Sequence, residues 1–303
     1  MKAMKPKKTE YKAPERHGGL DRGAKAAKAL VSSYDVVGDI ALVEIPKDKQ
    51  NQKDRKKIAQ SIIDTHPRIK AVLEKQGDRF GEFRLRELKP IIGTSTETEH
   101  RESGCLFRLD VAKSYFSPRE GTERERIAAQ VKPGETVLVM FAGVGPYAIV
   151  IAKKQPRVRK VYAVEINPDA VQCMEENVRL NKLAYVVEPI LGDAKEKCSR
   201  LYGKCDRIVM PLPHEGRKFL ETAIKCARPR GVIHFYYIGH DMQGPAKGPA
   251  KGLAKGQSMF KTAADIIKME CTKLGRKCRI LTQQKVLPYG PRMFKVCIDF
   301  EVL

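Results

Sequence analysis

Glycines and an acidic residue follow two apolar runs in the second half of the sequence, at spacings that suit nucleotide chemistry. Segment 143–148 (GVGPYA) matches the G-x-G-x-x-A form of a strand-to-helix loop, in which missing side chains let a ligand approach the backbone. Glu165 follows the next apolar run, where its carboxylate can accept two hydrogen bonds from a ribose diol. This pair of features suits NAD and S-adenosylmethionine equally well.

Residues further along the chain distinguish the two cofactors. Segment 192–194 (Gly-Asp-Ala) suits the exocyclic amine and ring nitrogen of an adenine, and 211–213 (Pro-Leu-Pro) lies where methyltransferases hold the acceptor base. A dehydrogenase needs a catalytic His/Lys or Tyr/Lys set beside the nicotinamide, and the sequence offers no convincing set. The pattern therefore favours S-adenosylmethionine.

A parallel sheet must position these residues, because strand and helix patterns alternate from about residue 119 onward. Buried strands are predicted at 137–141, 160–164, 186–191, 207–210, 232–238, 279–286 and 293–302. The first five end in polar or turn-forming residues, which is where open α/β sheets bind ligands. The sequence predicts an α/β fold with a Rossmann-like sheet.

The first third of the chain has a different organisation. Residues 1–33 are predicted to be a flexible basic arm, because they are rich in Lys and Arg and have little apolar periodicity. Residues 34–103 are predicted to form a small α+β domain with a helix at about 54–64. The α/β domain then takes 104–303, and a Gly/Pro/Lys repeat at 244–256 interrupts it as a solvated insertion.

The charge of the chain indicates a polyanionic partner. Its 303 residues include 58 Lys and Arg against 36 Asp and Glu, which gives a formal charge of +22. Clustered cations gain free energy by releasing counterions from phosphate backbones, so a nucleic acid is favoured as the partner. An anionic membrane surface and a merely solubilising Lys-rich surface are the alternatives.

Several classes of protein do not fit the sequence. Its eight cysteines form no CxxC pair, and no apolar N-terminal stretch resembles a signal peptide. No segment approaches about 18 consecutive apolar residues, so a membrane-spanning helix is not expected. We therefore expect a cytoplasmic protein with reduced thiols, no metal site and no membrane partner.

Four strings of residues resemble one family, the tRNA (guanine-37, N1)-methyltransferases of archaea and eukaryotes. They are 81–89 (GEFRLRELK), 109–124 (LDVAKSYFSPREGTER), 140–147 (MFAGVGPY) and 165–168 (EINP). The resemblance covers roughly residues 34–303. It implies a class I methyltransferase fold, S-adenosylmethionine as the co-substrate and the anticodon region of a tRNA as the partner. With it we expect residues 34–103 to bind RNA and the protein to be a monomer.

The resemblance also implies which residues perform the chemistry. Guanine N1 carries a proton and is a poor nucleophile, so its methylation needs a base at N1 and a cation or donor at O6. By resemblance, Glu123 is the base and an arginine of segment 81–89 stabilises O6. If that segment is a strand, Arg84 and Arg86 share a face, and we favour Arg84. Tyr115 would position the flipped base or the methyl donor.

Further residues follow from the same resemblance. The donor would be held by Phe141, Gly143, Gly145, Glu165, Asn167, Asp193 and Ala194. The substrate would be contacted by Tyr115, Arg86, Arg119, Pro211 and Pro213. Displacement at a sulfonium requires alignment and a free N1 lone pair, so no metal is needed.

Two positions depart from the family pattern. Many members carry an acid two residues before the Phe-Ala-Gly motif, where this chain has Val139. They commonly carry Asn-Leu-Pro after the fourth strand, where this chain has Pro211, so only backbone groups could contact the base there. The basic arm also stands where many relatives have a tRNA-elbow-binding domain.

Alternatives stay open at this point. A related wybutosine-pathway transferase would move the aminocarboxypropyl group of the same donor to a tricyclic guanine derivative, and the chain could also methylate that derivative. A noncatalytic RNA-binding protein with a vestigial fold is an alternative of another class. Glu123 could instead be a first-turn glutamate that favours the helix dipole, among Arg119, Arg124 and Arg126.

Overall fold

The computed structural model describes residues 34–241 and 258–303. The predicted arm at 1–33 and the predicted insertion at 244–256 lie outside the described residues. Three sheets are present in the described part of the chain: one of four strands, one of seven and a two-stranded hairpin. Among the helices of these residues, none is long and apolar enough to cross a membrane.

One helix packs against the four-stranded sheet. Its strands, adjacent in this order, are β1 (Tyr34–Val37), β2 (Ile40–Val43), β3 (Ala71–Phe80) and β4 (Leu85–Ile92). Helix α1 (Gln52–Thr65) connects β2 to the parallel strand β3, and confirms the helix predicted at 54–64. Asn51 caps α1 by accepting a hydrogen bond from Asp54 N at 2.9 Å, and Ile58 and Ile62 bury its inner face.

The strands of the seven-stranded sheet are β7 (Thr136–Met140), β8 (Lys160–Glu165), β9 (Val187–Leu191), β10 (Cys205–Met210), β11 (Ala227–His240), β12 (Cys278–Gly290) and β13 (Met293–Val302). Their order in the sheet is β12-β13-β11-β10-β7-β8-β9. Strands β7 to β11 run parallel, whereas β13 and β12 are antiparallel to their neighbours. The strand order reverses between β7 and β10, so a ligand crevice is expected at their carboxyl ends.

Helices cover both faces of the larger sheet. They are α2 (Gly121–Ala128), α3 (Pro146–Lys154), α4 (Pro168–Leu180), α5 (Ala194–Lys197), α6 (Leu220–Cys226) and α7 (Ser258–Lys273). Val137 and Val139 of β7 join the core that contains α3 and α4, whereas Leu138 and Met140 join the core that contains α6 and α7. The predicted α/β fold with a Rossmann-like sheet is confirmed.

A hairpin links the two larger units. It consists of β5 (Glu97–Glu102) and β6 (Cys105–Asp110), and Thr98 of β5 accepts a hydrogen bond from Asp39 N in the β1–β2 turn at 3.1 Å. The domain boundary expected at 103/104 falls in the turn of this hairpin. That boundary stays a prediction.

Two asparagines hold the other side of the hairpin: Asn177 of α4 and Asn181, which directly follows that helix. The Asn181 amide pairs with the backbone N–H and C=O of Leu106 at 2.9 and 2.7 Å. The Asn177 amide pairs in the same way with Arg108 at 2.7 and 3.0 Å. Asn177 also donates to Val144 O at 3.1 Å, so the hairpin is fixed directly to the glycine-rich loop.

Candidate active site

The glycine-rich loop connects β7 to α3 at the carboxyl end of the sheet. Phe141, Gly143 and Gly145 all have left-handed backbone conformations, with φ of 58°, 56° and 89°. A Cβ on Gly145 would lie 2.8 Å from Met174 Cγ, so this close approach depends on the missing side chain. Pro146 then occupies the first turn of α3, where its lack of an N–H costs nothing.

Glu165 lies at the end of β8, next to this loop. Its carboxylate accepts hydrogen bonds from Gly143 N at 2.7 Å and from Ile166 N and Asn167 N at 2.9 Å. Burial raises the pKa of Glu165, and the three backbone hydrogen bonds oppose that shift. The carboxylate is thus held at the sheet edge with acceptor capacity left for ligand hydroxyls.

Asn167 and Asp193 both use their side chains to cap helices. Asn167 is 3% exposed; its amide oxygen accepts from Asp169 N at 3.0 Å and its amide nitrogen donates to Lys113 O at 2.7 Å. Asp193 caps α5 by accepting from Lys195 N at 2.6 Å, and Ala194 behind it is buried. Asn167 therefore positions α4, while Asp193 stays at the carboxyl end of β9, where the sequence places it.

Tyr115 connects this loop to a cavity on the other side. Its backbone oxygen lies 3.5 Å from the position of a Cβ on Gly143, and the cavity beyond it is lined by Arg79, Arg84 and Arg86. The Arg79 guanidinium lies 4.2 Å from the centroid of the Tyr115 ring. Desolvation of its hydroxyl, with the Glu120 charge nearby, raises the pKa of Tyr115 to about 12.

The two candidate arginines of segment 81–89 do not share a strand face, so that expectation is wrong. Strand β4 begins at Leu85, and Arg84 precedes it in a turn with φ of 55°. Both side chains nevertheless line the same cavity. Arg86 Nη1 lies 2.6 Å from Glu44 Oε1, whereas its Nε is buried without a hydrogen-bond partner in the described residues.

Glu123 lies inside the protein rather than on the cavity surface. It is 6% exposed, and Arg126 donates to both of its carboxylate oxygens at 2.8 Å. The Tyr236 hydroxyl donates to Glu123 Oε1 at 2.5 Å. Arg126 in turn lies 2.6 Å from Asp299 Oδ2. Glu123 is therefore part of a buried ionic network.

The other arginines near Glu123 have partners of their own. Arg124 is 2% exposed and pairs with Glu102 of the hairpin. Arg119 pairs with Asp35 of β1, which also lies 2.6 Å from Lys75 Nζ. Burial of Asp35 opposes ionisation, but the hydrogen bonds and charges of Lys75 and Arg119 prevail and lower its pKa. These pairs fix the segment around Tyr115 to the hairpin and to the small sheet.

Pro211 and Pro213 follow β10 at the point where the strand order reverses. Lys295 Nζ donates to Pro211 O at 3.3 Å and to Glu120 Oε1 at 2.8 Å. His214, next in the chain, lies 2.6 Å from the Tyr289 hydroxyl. The backbone of this turn is thus held by Lys295.

His214 and the arginines of the cavity act on one another electrostatically. Burial lowers the pKa of His214, and the charges of Arg84 and Arg79 lower it further. The turn after β10 and the arginines of the small sheet therefore belong to one electrostatic environment. The structure places Tyr115, Arg84 and Arg86 around one cavity. Pro211 and Pro213 lie in the turn after β10, and the glycine loop, Glu165 and Asp193 lie at the carboxyl ends of β7, β8 and β9.

Sequence reasoning missed Glu120, Lys295 and Tyr236. Glu120 lies within the string that carries the resemblance, between Arg119 and Glu123. Lys295 could have been noticed because a lysine in the apolar run of a predicted buried strand needs a partner. No local signal in the sequence indicates that Tyr236 contacts Glu123.

Three buried side chains place possible metal-ligand atoms within 4.8 Å of one another: His234, Cys297 and Asp299. Arg126 and Thr282 each donate to Asp299 at 2.6 Å. Although burial opposes it, hydrogen bonds from His234, Arg126 and Thr282 hold the pKa of Asp299 well below its usual range. Because the Arg126 guanidinium already neutralises the Asp299 carboxylate, the three side chains fit a structural network better than a cation site.

Comparisons with known proteins agree with this geometry. Residues 98–259 match the TRM5/TYW2 methyltransferase domain, and residues 22–96 match the TYW2 N-terminal domain. The chain is 41% identical to the tRNA (guanine(37)-N(1))-methyltransferase Trm5b of Pyrococcus abyssi, over 90% of this chain and 76% of that protein. It is similar to the solved structure of aTrm5 in complex with tRNALeu, with a TM-score of 0.76 and 35% identity over 91% of this chain and 74% of that one.

A relative with another activity is also similar. The tRNA(Phe) (4-demethylwyosine(37)-C(7)) aminocarboxypropyltransferase of Methanocaldococcus jannaschii is 33% identical, over 88% of this chain and 96% of that protein. Both activities therefore occur among proteins similar to this one. The matched domain covers more than half of the chain and contains Tyr115, the glycine loop and Glu165. The chain belongs to the TRM5/TYW2 methyltransferase family.

Proposed function

We propose that the protein transfers the methyl group of S-adenosylmethionine to N1 of guanine 37 in tRNA. One observation carries the proposal: Tyr115 O lies 3.5 Å from the Cβ position of Gly143, so the cavity with Arg84 opens beside the glycine loop. A donor on the loop and a base in the cavity would be neighbours, as direct displacement requires. The Trm5b relative, 41% identical, bears this activity in its name.

On the donor side, the residues fit S-adenosylmethionine, which supplies an electrophilic methyl group on its sulfonium. The left-handed turns at Gly143 and Gly145 would let the ligand approach the backbone. Glu165 would accept hydrogen bonds from the ribose hydroxyls, and Asp193 would meet the adenine beside the buried Ala194. Phe141 would support this surface, since its ring packs edge to face on Phe219 with centroids 4.8 Å apart, and Asn167 would act by holding α4.

On the acceptor side, one charged residue would accept a proton and another would stabilise the charge that develops on the base. By the resemblance, Glu123 would take the proton from guanine N1; its carboxylate, now buried against Arg126 and Tyr236, would exchange these partners for the base. Arg84 would donate to O6, where negative charge develops as N1 loses its proton. The N1 lone pair would then form the new bond to the methyl carbon while the bond from that carbon to sulfur breaks.

The remaining acceptor residues would hold the tRNA. Tyr115, which is 44% exposed, would stack on the base, and Pro211 and Pro213 would enclose it. Arg86 and Arg119 would exchange their present carboxylate partners for the substrate. The charge of +22 supports an RNA substrate, and we propose the anticodon region as the part that docks.

A labelling experiment tests the reaction and the base together. Unmodified tRNA transcripts with guanine or adenine at position 37 are incubated with methyl-labelled S-adenosylmethionine and the wild-type protein or Glu123→Gln. We expect labelling that requires guanine and collapses in the variant. Glu125→Gln, an exposed glutamate of the same helix, is the matched control and should keep activity. Equal labelling of both transcripts would contradict the proposed base.

The same experiment judges the role of Glu123 separately. Labelling that survives in Glu123→Gln would remove the proton-accepting role and leave the methyl transfer intact. Because Glu123 is buried against Arg126, thermal unfolding of both variants must be measured to distinguish lost chemistry from a lost fold. No binding of S-adenosylmethionine by the wild type would favour a noncatalytic RNA-binding protein.

Aminocarboxypropyl transfer to a tricyclic guanine derivative is the second candidate. The observation in its favour is that residues 22–96 match the TYW2 N-terminal domain and that the chain is 33% identical to the aminocarboxypropyltransferase relative. A donor labelled in its carboxyl carbon distinguishes the two reactions. Methyl transfer leaves that label in the small-molecule product, whereas aminocarboxypropyl transfer moves it to the RNA.

A further inference from the structure

A buried ion pair beside the acceptor cavity has no part in the function proposed above. Glu120, at the end of the short turn Pro118–Glu120 before α2, is 4% exposed, and Lys295 in β13 is 5% exposed. Lys295 Nζ lies 2.8 Å from Glu120 Oε1. Removing two charges from water costs free energy that their attraction does not readily return, so stability alone is a weak reason for this pair.

Lys295 holds the turn that follows β10. Its ammonium donates to the Pro211 carbonyl at 3.3 Å and lies 4.8 Å from the centroid of the Tyr236 ring. Glu120, the ring and the carbonyl thus surround the ammonium. The pair ties the turn at 211–213 to the segment that carries Tyr115.

Glu120 continues the connection to Glu123. The Tyr115 hydroxyl donates to Glu120 Oε1 at 3.5 Å, and the Tyr147 hydroxyl to Oε2 at 3.4 Å. The Tyr147 hydroxyl also lies 3.2 Å from that of Tyr236, which donates to Glu123 at 2.5 Å. Burial raises the pKa of Tyr147 and Tyr236 well above the usual value, so both hydroxyls remain protonated donors.

We propose that Glu120 and Lys295 are positioning residues, which hold the Pro211 carbonyl and the Tyr115 ring in a fixed place relative to Glu123. The inference rests on the proposed function, because it assigns the pair to the same acceptor site. The pair acts through its neighbours and need not touch the base. A site that loses alignment loses rate, whereas its affinity for the substrates is kept.

The double variant Glu120→Gln/Lys295→Met tests this role without leaving the unpaired buried charge that each single variant would create. We expect kcat to fall about 10- to 100-fold, with the KM for tRNA and the Kd for S-adenosylmethionine within about twofold of wild type. A wild-type kcat, or a loss confined to KM, would overturn the proposal. Lys261→Met/Asp265→Asn removes an exposed ion pair of α7 and is the control.

If the double variant does not fold, a single substitution that removes one hydroxyl group provides a second measurement. Tyr147→Phe removes only the group that lies between Glu120 and Tyr236. We expect a lower kcat at unchanged KM, while Tyr237→Phe, a change in the adjoining part of β11, should keep the wild-type kcat. Wild-type kcat in Tyr147→Phe would also overturn the proposal.

A fluorescence reading separates this inference from the proposed function. The sequence contains no Trp, so Leu212→Trp introduces a single reporter between Pro211 and Pro213. Its anisotropy should fall when the double substitution is added, because the turn loses its anchor, and an unchanged anisotropy would contradict the inference. If the wild type methylated no tRNA while the anisotropy fell, the proposed function would fail and the anchoring of the turn would stand.

Discussion

On the donor side of the site, the Glu165 carboxylate accepts a hydrogen bond from Gly143 N, 22 residues away in the chain. On the acceptor side, the Glu120 carboxylate meets Lys295 across 175 residues. The first contact joins consecutive strands and uses a backbone donor. The second joins opposite ends of the α/β domain and uses a side chain, so it forms only when the sheet is complete.

This difference predicts how amino-acid substitutions on each side affect the protein. A backbone donor remains present whatever side chain the residue carries, so the donor side depends mainly on main-chain conformation. A buried ion pair depends on both of its members, and losing one leaves an uncompensated charge. We therefore expect substitutions near the acceptor side to act on stability first, and substitutions on the donor side to act on ligand affinity.

Arg124→Met should have the largest effect. It leaves Glu102 buried without its cation, which typically costs about 3–5 kcal/mol of the free energy of unfolding. Urea unfolding measures the loss. Arg101→Met removes an exposed partner of Glu99 in the same hairpin and should leave the midpoint unchanged. A loss below about 1 kcal/mol for Arg124→Met would break the comparison.

Gly145→Ala should come next, as the donor-side substitution that acts through the backbone. A left-handed conformation costs a residue with a Cβ about 1–2 kcal/mol, and the new atom would also press on Met174. We expect lower stability in urea and weaker binding of S-adenosylmethionine by calorimetry. Gly203→Ala has a similar φ of 68° with open space around it, so it isolates the backbone cost. Equal results for the two variants would show that the contact with Met174 is unimportant.

Glu165→Gln sharpens the comparison further, since it should change affinity more than stability. The amide would place a donor among the N–H groups of Gly143, Ile166 and Asn167. We expect the Kd for S-adenosylmethionine to rise about tenfold, equivalent to about 1.4 kcal/mol. Calorimetry measures it, and the exposed Glu196→Gln serves as the control. An unchanged Kd would contradict the assignment of Glu165 to the ribose.

Acidification should produce the smallest change in stability. It acts on the ion pair between Arg119 and Asp35 of the four-stranded sheet. The pKa of Asp35 is lowered from its ordinary value of 3.8, so its stabilising contribution is complete above that pH and is lost as the pH falls through the folded-state pKa. Urea midpoints of the wild type and Asp35→Asn should therefore differ at pH 7 and converge below about pH 4. A difference that stays constant down to pH 3 would contradict this reason.

The elements of the donor side could be predicted because their signals are local. Apolar runs, the glycine loop and a capping residue lie next to one another in the chain, and the strands predicted at 137–141 and 160–164 are observed as Thr136–Met140 and Lys160–Glu165. The position of Arg84 could not be predicted in this way. A left-handed φ of 55° is uncommon for arginine. The pairing of β3 with β4 also shifts its register between Gln76 and Phe80, close to where β4 begins.

The partners of the acceptor side could be predicted only in part. Three arginines surround Glu123 in the sequence, and helical spacing favours Arg126 over Arg124 as its neighbour. Spacing does not reveal that Arg124 pairs with Glu102 or that Arg119 pairs with Asp35, because these contacts depend on where the hairpin and the small sheet pack. Residue roles on this side therefore come from the resemblance and remain predictions.

Asn177 of α4 and Asn181, the residue that ends this helix, substitute for a missing strand. Four residues apart, they give and receive backbone hydrogen bonds along β6 as a neighbouring strand would. An unpaired edge of a short hairpin is a template on which another chain can add. The side-chain amides close this edge, so we expect α4 to protect the hairpin from aggregation as well as to fix it to the glycine-rich loop.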